Sequence, residues 1–147
     1  MFENHPQNVK IVEVGARDGL QNEKSSISTD DKLSYILKLI DSGITSLEVT
    51  SFVSPKAIPQ MADSKELFEI LKSKVDINNF EFPCLVPNNK GYENAKNLGV
   101  KEIALFSATS SEFTKKNINA TVEESFKRMD EISLEAKKDG IKIRGYI

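Results

Sequence analysis

The chain has 147 residues, of which 39% are hydrophobic, so its length supports one folding unit with a real core and not two comfortable ones. The 20 Lys and Arg nearly balance the 22 Asp and Glu, and no basic cluster is broad enough to follow a phosphate backbone, which argues against a nucleic-acid partner. No apolar run approaches the roughly 20 residues that a membrane span needs. The start, MFENHPQNVK, has neither an apolar signal core nor an Arg-rich leader, so we expect a cytoplasmic protein that does not enter a membrane.

Short β-rich runs alternate along the chain with longer segments of helical spacing. The five runs are KIVEV (10–14), SLEVTS (46–51), FEFPCLV (80–86), KEIALFS (101–107) and IKIRGYI (141–147). Three helical segments end in a Gly that is followed directly by a strand, at Gly43, Gly99 and Gly140. This recurrence predicts parallel strands joined by crossover helices.

The helical segments carry start signals of the usual kinds. The first has an apolar face made of Leu33, Ile36, Leu37 and Ile40. Its expected N-cap is Ser28 or Thr29, while Asp63 with Glu66 and Thr121 with Glu124 are the expected capping pairs of helices over 63–74 and 121–140. A further helix is predicted over 88–99.

Two connections are longer than the few residues that usually join a strand to a helix. The segment 51–61 contains two prolines and no helical period, and 107–121 is long and polar. We predict both to be functional loops. Lys115, Lys116 and Asn117 could meet the phosphates of an anionic substrate, although each lysine taken alone fits a solvated surface loop as well.

The pattern fits either an open doubly wound sheet or the first half of an eight-stranded (β/α)₈ barrel. Polar residues follow or end nearly every predicted strand: Arg17, Asp18, Glu48, Ser51, Asn88, Ser107 and Arg144. A barrel carries functional groups at the carboxyl ends of many strands, whereas an open sheet concentrates them at one switch point. We therefore expect an α/β fold in which residues 1–147 form a single partial TIM-barrel domain, strands one to five.

Four residues are the first candidates for chemistry. Asp18 offers an oxygen ligand for a hard divalent cation, and Arg17 offers donors for an enolate or carboxylate oxygen. An adjacent Arg and Asp after a strand is also common as a loop ion pair or a helix cap. Glu48 lies in an apolar strand and needs a partner such as Arg17 or a lysine, in either a structural or a catalytic role. Cys84 lies in an apolar run and is expected to be a core residue rather than a nucleophile.

Several sequence motifs occur in a distinctive order along the chain. VEVGARDGLQNE, TSFVSPKAIPQM, PNNKGYENA and FTKKNIN followed by ESFKR closely resemble the 3-hydroxy-3-methylglutaryl-CoA lyase family, whose members are metal-dependent TIM-barrel enzymes. The resemblance extends from about Val9 to Ile147. It departs from the family at Ala16, where a proline is common.

The resemblance implies cleavage of 3-hydroxy-3-methylglutaryl-CoA into acetyl-CoA and acetoacetate with Mg²⁺ or Mn²⁺. In that case Asp18 would bind the metal, Arg17 would stabilise the enolate of acetyl-CoA, and Gln21 would lie near the metal and its waters. Glu48 would support the active-site arginine. The acyl-CoA substrate would be held by Lys24, Ser51, Lys115 and Asn117.

The resemblance also implies ligands that this sequence does not contain. The family completes its metal site with a His-x-His pair and an asparagine from later strands, and a glycine-rich loop carries a catalytic cysteine, whereas His5 is the only histidine here. We expect either the amino-terminal half of such a lyase, inactive alone, or a non-catalytic half-barrel that binds or scaffolds. Exposed sheet edges predict self-association in both cases. An isopropylmalate or homocitrate synthase is disfavoured by FTKKNIN.

Overall fold

The structure is a computed structural model and describes residues 6–147; His5 lies outside the described residues. The helices are α1 (Thr29–Asp41), α2 (Ser64–Lys74), α3 (Asn89–Asn97), α4 (Ser111–Ile118) and α5 (Val122–Lys138). The strands are β1 (Thr50–Ser51), β2 (Cys84–Leu85), β3 (Glu102–Phe106) and β4 (Lys142–Tyr146). Across these residues no helix is long and apolar enough to cross a membrane.

The four strands form one parallel sheet in the order in which they occur in the chain. Cys84 of β2 pairs with Ile103 of β3, which in turn pairs with Ile143 of β4. An isolated parallel bridge between Glu13 and Leu47 continues the same order on the side of β1. A doubly wound sheet reverses its strand order at a switch point, whereas a barrel keeps the order of the sequence. The predicted fold, a partial α/β barrel of the TIM type, is confirmed.

The first three predicted strands are shorter than expected, whereas the last two are confirmed within one residue at each end. The run 10–14 contributes only the bridge at Glu13, where the backbone N–H of Glu13 donates to the carbonyl of Ser46 at 3.0 Å. The run 80–86 forms a bridge at Glu81 and the two residues of β2. Pro83, which lies between them, has no N–H to donate to the ladder, and this explains the interruption.

Local helix signals are confirmed where they involve neighbouring residues. Ser28 caps α1 by accepting from the N–H of Asp31 at 3.1 Å. Thr121 and Glu124 form the predicted capping box of α5. Gly43, Gly99 and Gly140 end their helices with positive φ angles of 95°, 79° and 69°, a conformation that residues with a Cβ rarely adopt.

The predicted capping role of Asp63 is wrong. Asp63 makes no side-chain cap bond at the start of α2. Its two carboxylate oxygens instead accept from Lys32 Nζ at 2.7 Å and from Thr29 Oγ1 at 2.9 Å. Lys32 is a buried residue of α1, and a buried ammonium group requires a counter-ion, so the tertiary pair takes the carboxylate that the local rule assigned to the helix end.

The prediction that 107–121 is a loop is wrong as well, since α4 occupies its centre. The Ser110 side chain caps α4, and Asn119 ends it in the left-handed conformation with φ 48°. Thr114 is fully buried on the inner face, and its hydroxyl donates to the carbonyl of Ser110 at 2.9 Å. The two apolar residues of α4, Phe113 and Ile118, are five positions apart, so the sequence shows no regular apolar stripe that would reveal the helix.

The core lies between the sheet and the helices packed on it. Its largest fully buried side chains include Leu47, Leu67, Phe68, Leu71, Tyr92, Ile103 and Ile132. Cys84 belongs to this core with no exposed surface, and burial raises the pKa of its thiol well above the ordinary value. The thiolate that a nucleophile needs is therefore disfavoured, which confirms the expected core role.

Candidate functional site

A cavity of about 620 Å³ lies at the carboxyl ends of the strands. Its polar lining consists of Arg17, Asp18, Gln21, Asn22, Asn117 and Tyr146. Its apolar lining includes Val14, Val53, Leu85, Phe106, Phe113 and Ile118. Residues from the first turn, from α4 and from three of the strand ends thus meet around one space.

The turn that carries Arg17 and Asp18 has a wide, π-helical hydrogen-bond pattern over Gly15–Gly19. It starts with the Gly15 N–H donating to Glu13 Oε1 at 2.6 Å, and the Asp18 N–H donates back to the Val14 carbonyl at 2.7 Å. Such π-turns occur frequently at functional sites because they redirect side chains without ending the backbone hydrogen bonding. Here the turn directs two neighbouring charged residues to the cavity.

Arg17 is held by two carboxylates. Its Nε donates to Glu48 Oε1 at 2.6 Å, and its Nη1 donates to Asp18 Oδ1 at 2.7 Å. The arginine side chain is 10% exposed and the Glu48 side chain has no exposed surface. The predicted partnership of Arg17 with Glu48 is therefore confirmed, and the neighbour pair of Arg17 with Asp18 exists as well. A guanidinium fixed on two sides is oriented before any ligand arrives.

Tyr146, at the end of β4, is a site residue that sequence reasoning missed. Its hydroxyl donates to Glu48 Oε2, and the Arg17 guanidinium carbon lies 5.9 Å from its ring centroid. Burial raises the pKa of the Tyr146 hydroxyl, and the hydrogen bond to Glu48 raises it further. Its place at the end of a predicted strand was the available signal.

Gln21 and Asp18 are the candidate residues at the cavity whose side-chain oxygens could bind a cation. Gln21 Oε1 is buried and has no hydrogen-bond partner, whereas the Asp18 side chain is 55% exposed. Mg²⁺ prefers six oxygen ligands and usually keeps several waters, with one or two carboxylates from the protein. Within residues 6–147, no group of three or more His, Cys, Asp or Glu could hold a metal ion.

The other predicted binding residues are dispersed. Asn117 lines the cavity, and its amide donates to the Phe113 carbonyl at 2.9 Å. Lys24 and Lys115 are exposed and do not line the cavity. Ser51, the last residue of β1, is fully buried and is not among the residues that line the cavity, and its hydroxyl oxygen has no hydrogen-bond partner. Their roles in binding stay predictions.

Two of the other polar residues at strand exits have structural contacts instead. Asn88 caps α3 by accepting from the Gly91 N–H at 2.9 Å, and the hydroxyls of Ser107 and Ser125 lie 2.7 Å apart in a buried pair. Arg144 lies with its guanidinium carbon 5.5 Å from the centroid of the Tyr146 ring. A polar residue at a strand exit is therefore not sufficient evidence for a place in the site.

Parallel strands in sequence order, flanking helices and a polar cavity at the strand ends define an α/β-barrel protein whose site lies on the loops that follow the strands. Residues 8–146 match the sequence profile of the HMGL-like family. The chain belongs to the HMGL-like family.

The relatives match this chain over most of its length, but they extend well beyond it. The chain is 50% identical to the mitochondrial hydroxymethylglutaryl-CoA lyase of Pongo abelii over 97% of its length, and this match spans 43% of the relative. The HMG-CoA lyase of Brucella melitensis superposes with a TM-score of 0.89 at 45% identity, over 96% of this chain and 49% of that one. An HMG-CoA lyase of Acinetobacter baumannii, solved in complex with coenzyme A and 3-methylmalate, superposes with a TM-score of 0.83 at 32% identity, over 91% of this chain and 43% of that one. The chain thus spans about half the length of these relatives.

Proposed function

We propose that this chain forms one wall of the active site of a carbon–carbon lyase that cleaves 3-hydroxy-3-methylglutaryl-CoA into acetyl-CoA and acetoacetate. The activity belongs to a protein that also supplies the remaining half of the barrel. The observation that carries the proposal is the orientation of Arg17, which is fixed by Glu48 and Asp18 at the edge of the cavity. Similarity to named HMG-CoA lyases supports the choice of substrate.

The chemistry explains why a fixed arginine is useful at this place. Cleaving a carbon–carbon bond beside a tertiary alcohol needs a base for the hydroxyl proton and a cation for the enolate that leaves. A guanidinium that is already oriented stabilises the enolate oxygen without reorganising during the reaction. Arg17 is the cation in this proposal, and Glu48 holds it in place from behind.

A divalent cation, Mg²⁺ or Mn²⁺, is part of the proposal for the complete site only. Asp18 is proposed as one ligand, with Gln21 beside it as an oxygen donor. The family resemblance of the sequence implies that a His-x-His pair from a later strand supplies further ligands.

The acyl-CoA substrate is the proposed small-molecule partner. The coenzyme A held by the Acinetobacter baumannii relative supports this choice of ligand. Asn117 is the predicted binding residue with direct access to the cavity, and Lys24, Ser51 and Lys115 are proposed to act with it. Residues 1–147 are proposed as a single partial domain in the cytoplasm, although several relatives are named as mitochondrial proteins.

A second candidate function is a non-catalytic half-barrel that binds another copy of itself or a second chain. Unpaired strand edges favour it, since among the described residues β4 pairs on one side only, with β3. Such edges promote pairing with another chain. Light scattering over a range of concentrations should show dimers or larger species, and a monomer at every concentration would argue against self-association.

The lyase proposal is tested in a chimera in which this chain replaces the matching segment of the Brucella melitensis enzyme. The chimera should release acetoacetate from 3-hydroxy-3-methylglutaryl-CoA in the presence of Mg²⁺ or Mn²⁺. Arg17→Lys keeps the charge but loses the planar fork, and we expect it to lower kcat about 10²- to 10³-fold. Lys38→Arg, an exposed position on α1 outside the cavity, is the matched control in the same chimera and should keep kcat close to that of the parent. A folded chimera in which Arg17→Lys behaves like that control would contradict the role of Arg17.

A further inference from the structure

The hydroxyl of Tyr146 donates to one of the two oxygens of the Glu48 carboxylate, and the other oxygen accepts from Arg17. We infer that Tyr146 is a positioning residue, which keeps the Arg17 guanidinium facing the cavity by occupying Glu48 Oε2. The inference rests on the proposed function for its effect on turnover, whereas the orientation of Arg17 can be measured without it. Neither the sequence motifs nor the family resemblance pointed to this residue.

The first step of the argument is the division of the Glu48 carboxylate. Arg17 Nε donates to Oε1, and the Tyr146 hydroxyl donates to Oε2. A carboxylate with both oxygens free prefers to bind a guanidinium through two parallel hydrogen bonds. Such a fork would turn a second guanidinium nitrogen toward Glu48. With Oε2 taken by Tyr146, Arg17 gives only Nε to Glu48 and keeps its terminal nitrogens for Asp18 and the cavity.

The second step concerns the ring of Tyr146, which acts separately from its hydroxyl. The guanidinium carbon of Arg17 lies 5.9 Å from the ring centroid, within the range of a cation–π contact. Arg144 lies 5.5 Å from the same centroid. The ring therefore contacts two guanidinium groups, and Tyr146→Phe removes the hydroxyl alone while it leaves both ring contacts.

The third step is the topology of this contact. Glu48 and Tyr146 are 98 residues apart; Glu48 lies just before β1 and Tyr146 ends β4, three strand spacings away in the sheet. A flat sheet with about 4.8 Å between neighbouring strands would separate these positions by roughly 14 Å. A sheet that curls toward this face shortens the distance that the two side chains must span. The same curvature that begins the barrel thus places the tyrosine on the carboxylate.

The test compares Tyr146→Phe with Tyr92→Phe. Tyr92 also donates its hydroxyl to a carboxylate, that of Asp139, but at the distant contact between α3 and α5. In the chimera, we expect Tyr146→Phe to lower kcat about tenfold with KM nearly unchanged, because a hydrogen bond to a charged group contributes on this scale. Tyr92→Phe should leave kcat unchanged. Equal losses in the two variants, or an unchanged kcat in Tyr146→Phe, would overturn the inference.

A second readout uses the 147-residue chain alone, so that it does not depend on any activity. The arginines of the chain are Arg17, Arg128 and Arg144, which gives few Nε–H signals in a ¹⁵N spectrum. The signal of Arg17, assigned with Arg17→Lys, should shift in Tyr146→Phe and stay in place in Tyr92→Phe. An unmoved signal in Tyr146→Phe would overturn the positioning role. A shifted signal together with an inactive parent chimera would uphold that role and count against the lyase proposal.

Discussion

Arg17, in the turn Gly15–Gly19, and Glu48, just before β1, form an ion pair in which Nε and Oε1 are separated by 2.6 Å. The carboxylate side of this pair is completely buried. Charges in such a place are costly to leave without a partner, so each of the two residues depends on the other. The pair therefore links the stability of the fold to the orientation of the candidate site.

Glu48→Ala should destabilise the chain strongly, because it leaves the Arg17 guanidinium buried without its main partner. We expect a loss of about 3 to 5 kcal/mol in the free energy of unfolding, measured by urea denaturation. Asp18→Ala removes the other carboxylate, which is largely exposed, and should cost less than about 1 kcal/mol. Similar losses in the two variants would contradict the burial of the Glu48 pair.

Lys32→Met tests the contact that displaced Asp63 from its predicted capping role. Lys32 Nζ donates to Asp63 Oδ1 at 2.7 Å and to the Gln60 carbonyl at 2.5 Å, with only 4% of its side chain exposed. Replacement should cost about 2 kcal/mol or more, measured by thermal or urea unfolding. The control is Lys138→Met, which breaks an exposed pair with Glu135 and should cost less than about 1 kcal/mol. A neutral Lys32→Met would show that this buried pair does not stabilise the fold.

Gly91→Ala tests how closely α3 approaches the segment after β1. A Cβ on Gly91 would lie 2.6 Å from the backbone oxygen of Phe52, which cannot move aside as a flexible side chain can. We expect a loss of about 1 to 3 kcal/mol in unfolding free energy, typical of overpacking. Gly19→Ala, where no atom lies within 4 Å of the added methyl, should be close to neutral. Equal stability of the two variants would mean that the approach is looser than described.

The hydroxyl of Tyr146 should titrate above its ordinary pKa of 10, because burial and the bond to Glu48 both raise it. A pKa raised on folding means that the stabilising effect is complete below pH 10 and is lost as the pH rises through the folded-state pKa. Absorbance at 295 nm during alkaline titration measures this. Glu48→Gln should lower the pH at which Tyr146 ionises, with Tyr146→Phe used to identify its contribution. An unchanged titration in Glu48→Gln would contradict the contact.

Local features of the fold could be predicted from the sequence because they depend on residues close together in the chain. Thr121 and Glu124 are three positions apart, and both partners of the capping box are visible in the sequence. Asp63 satisfied the same local rule, but Lys32, 31 positions away, took its carboxylate. A tertiary charge pair overrides a capping preference, and its existence cannot be read from spacing alone.

The candidate site was predictable in part for the same reason. Arg17 and Asp18 are neighbours at a strand exit, and the buried charge of Glu48 demanded a cation, so their meeting followed from general rules. Tyr146 could not be found in this way, since its contact with Glu48 depends on the curvature of the whole sheet. The helix α4, which brings Asn117 to the cavity, was not predicted either, because its few apolar residues do not repeat with a helical period.

The central claim is that this chain supplies Arg17 to the active site of a lyase and that this site needs the other half of the barrel. The most direct measurement is acetoacetate release from 3-hydroxy-3-methylglutaryl-CoA with Mg²⁺ or Mn²⁺, by the 147-residue chain alone and by the Brucella melitensis chimera. We predict turnover by the chimera and none by the folded chain alone. Turnover by the chain alone, lost on Asp18→Ala, or a folded chimera without turnover would contradict the account.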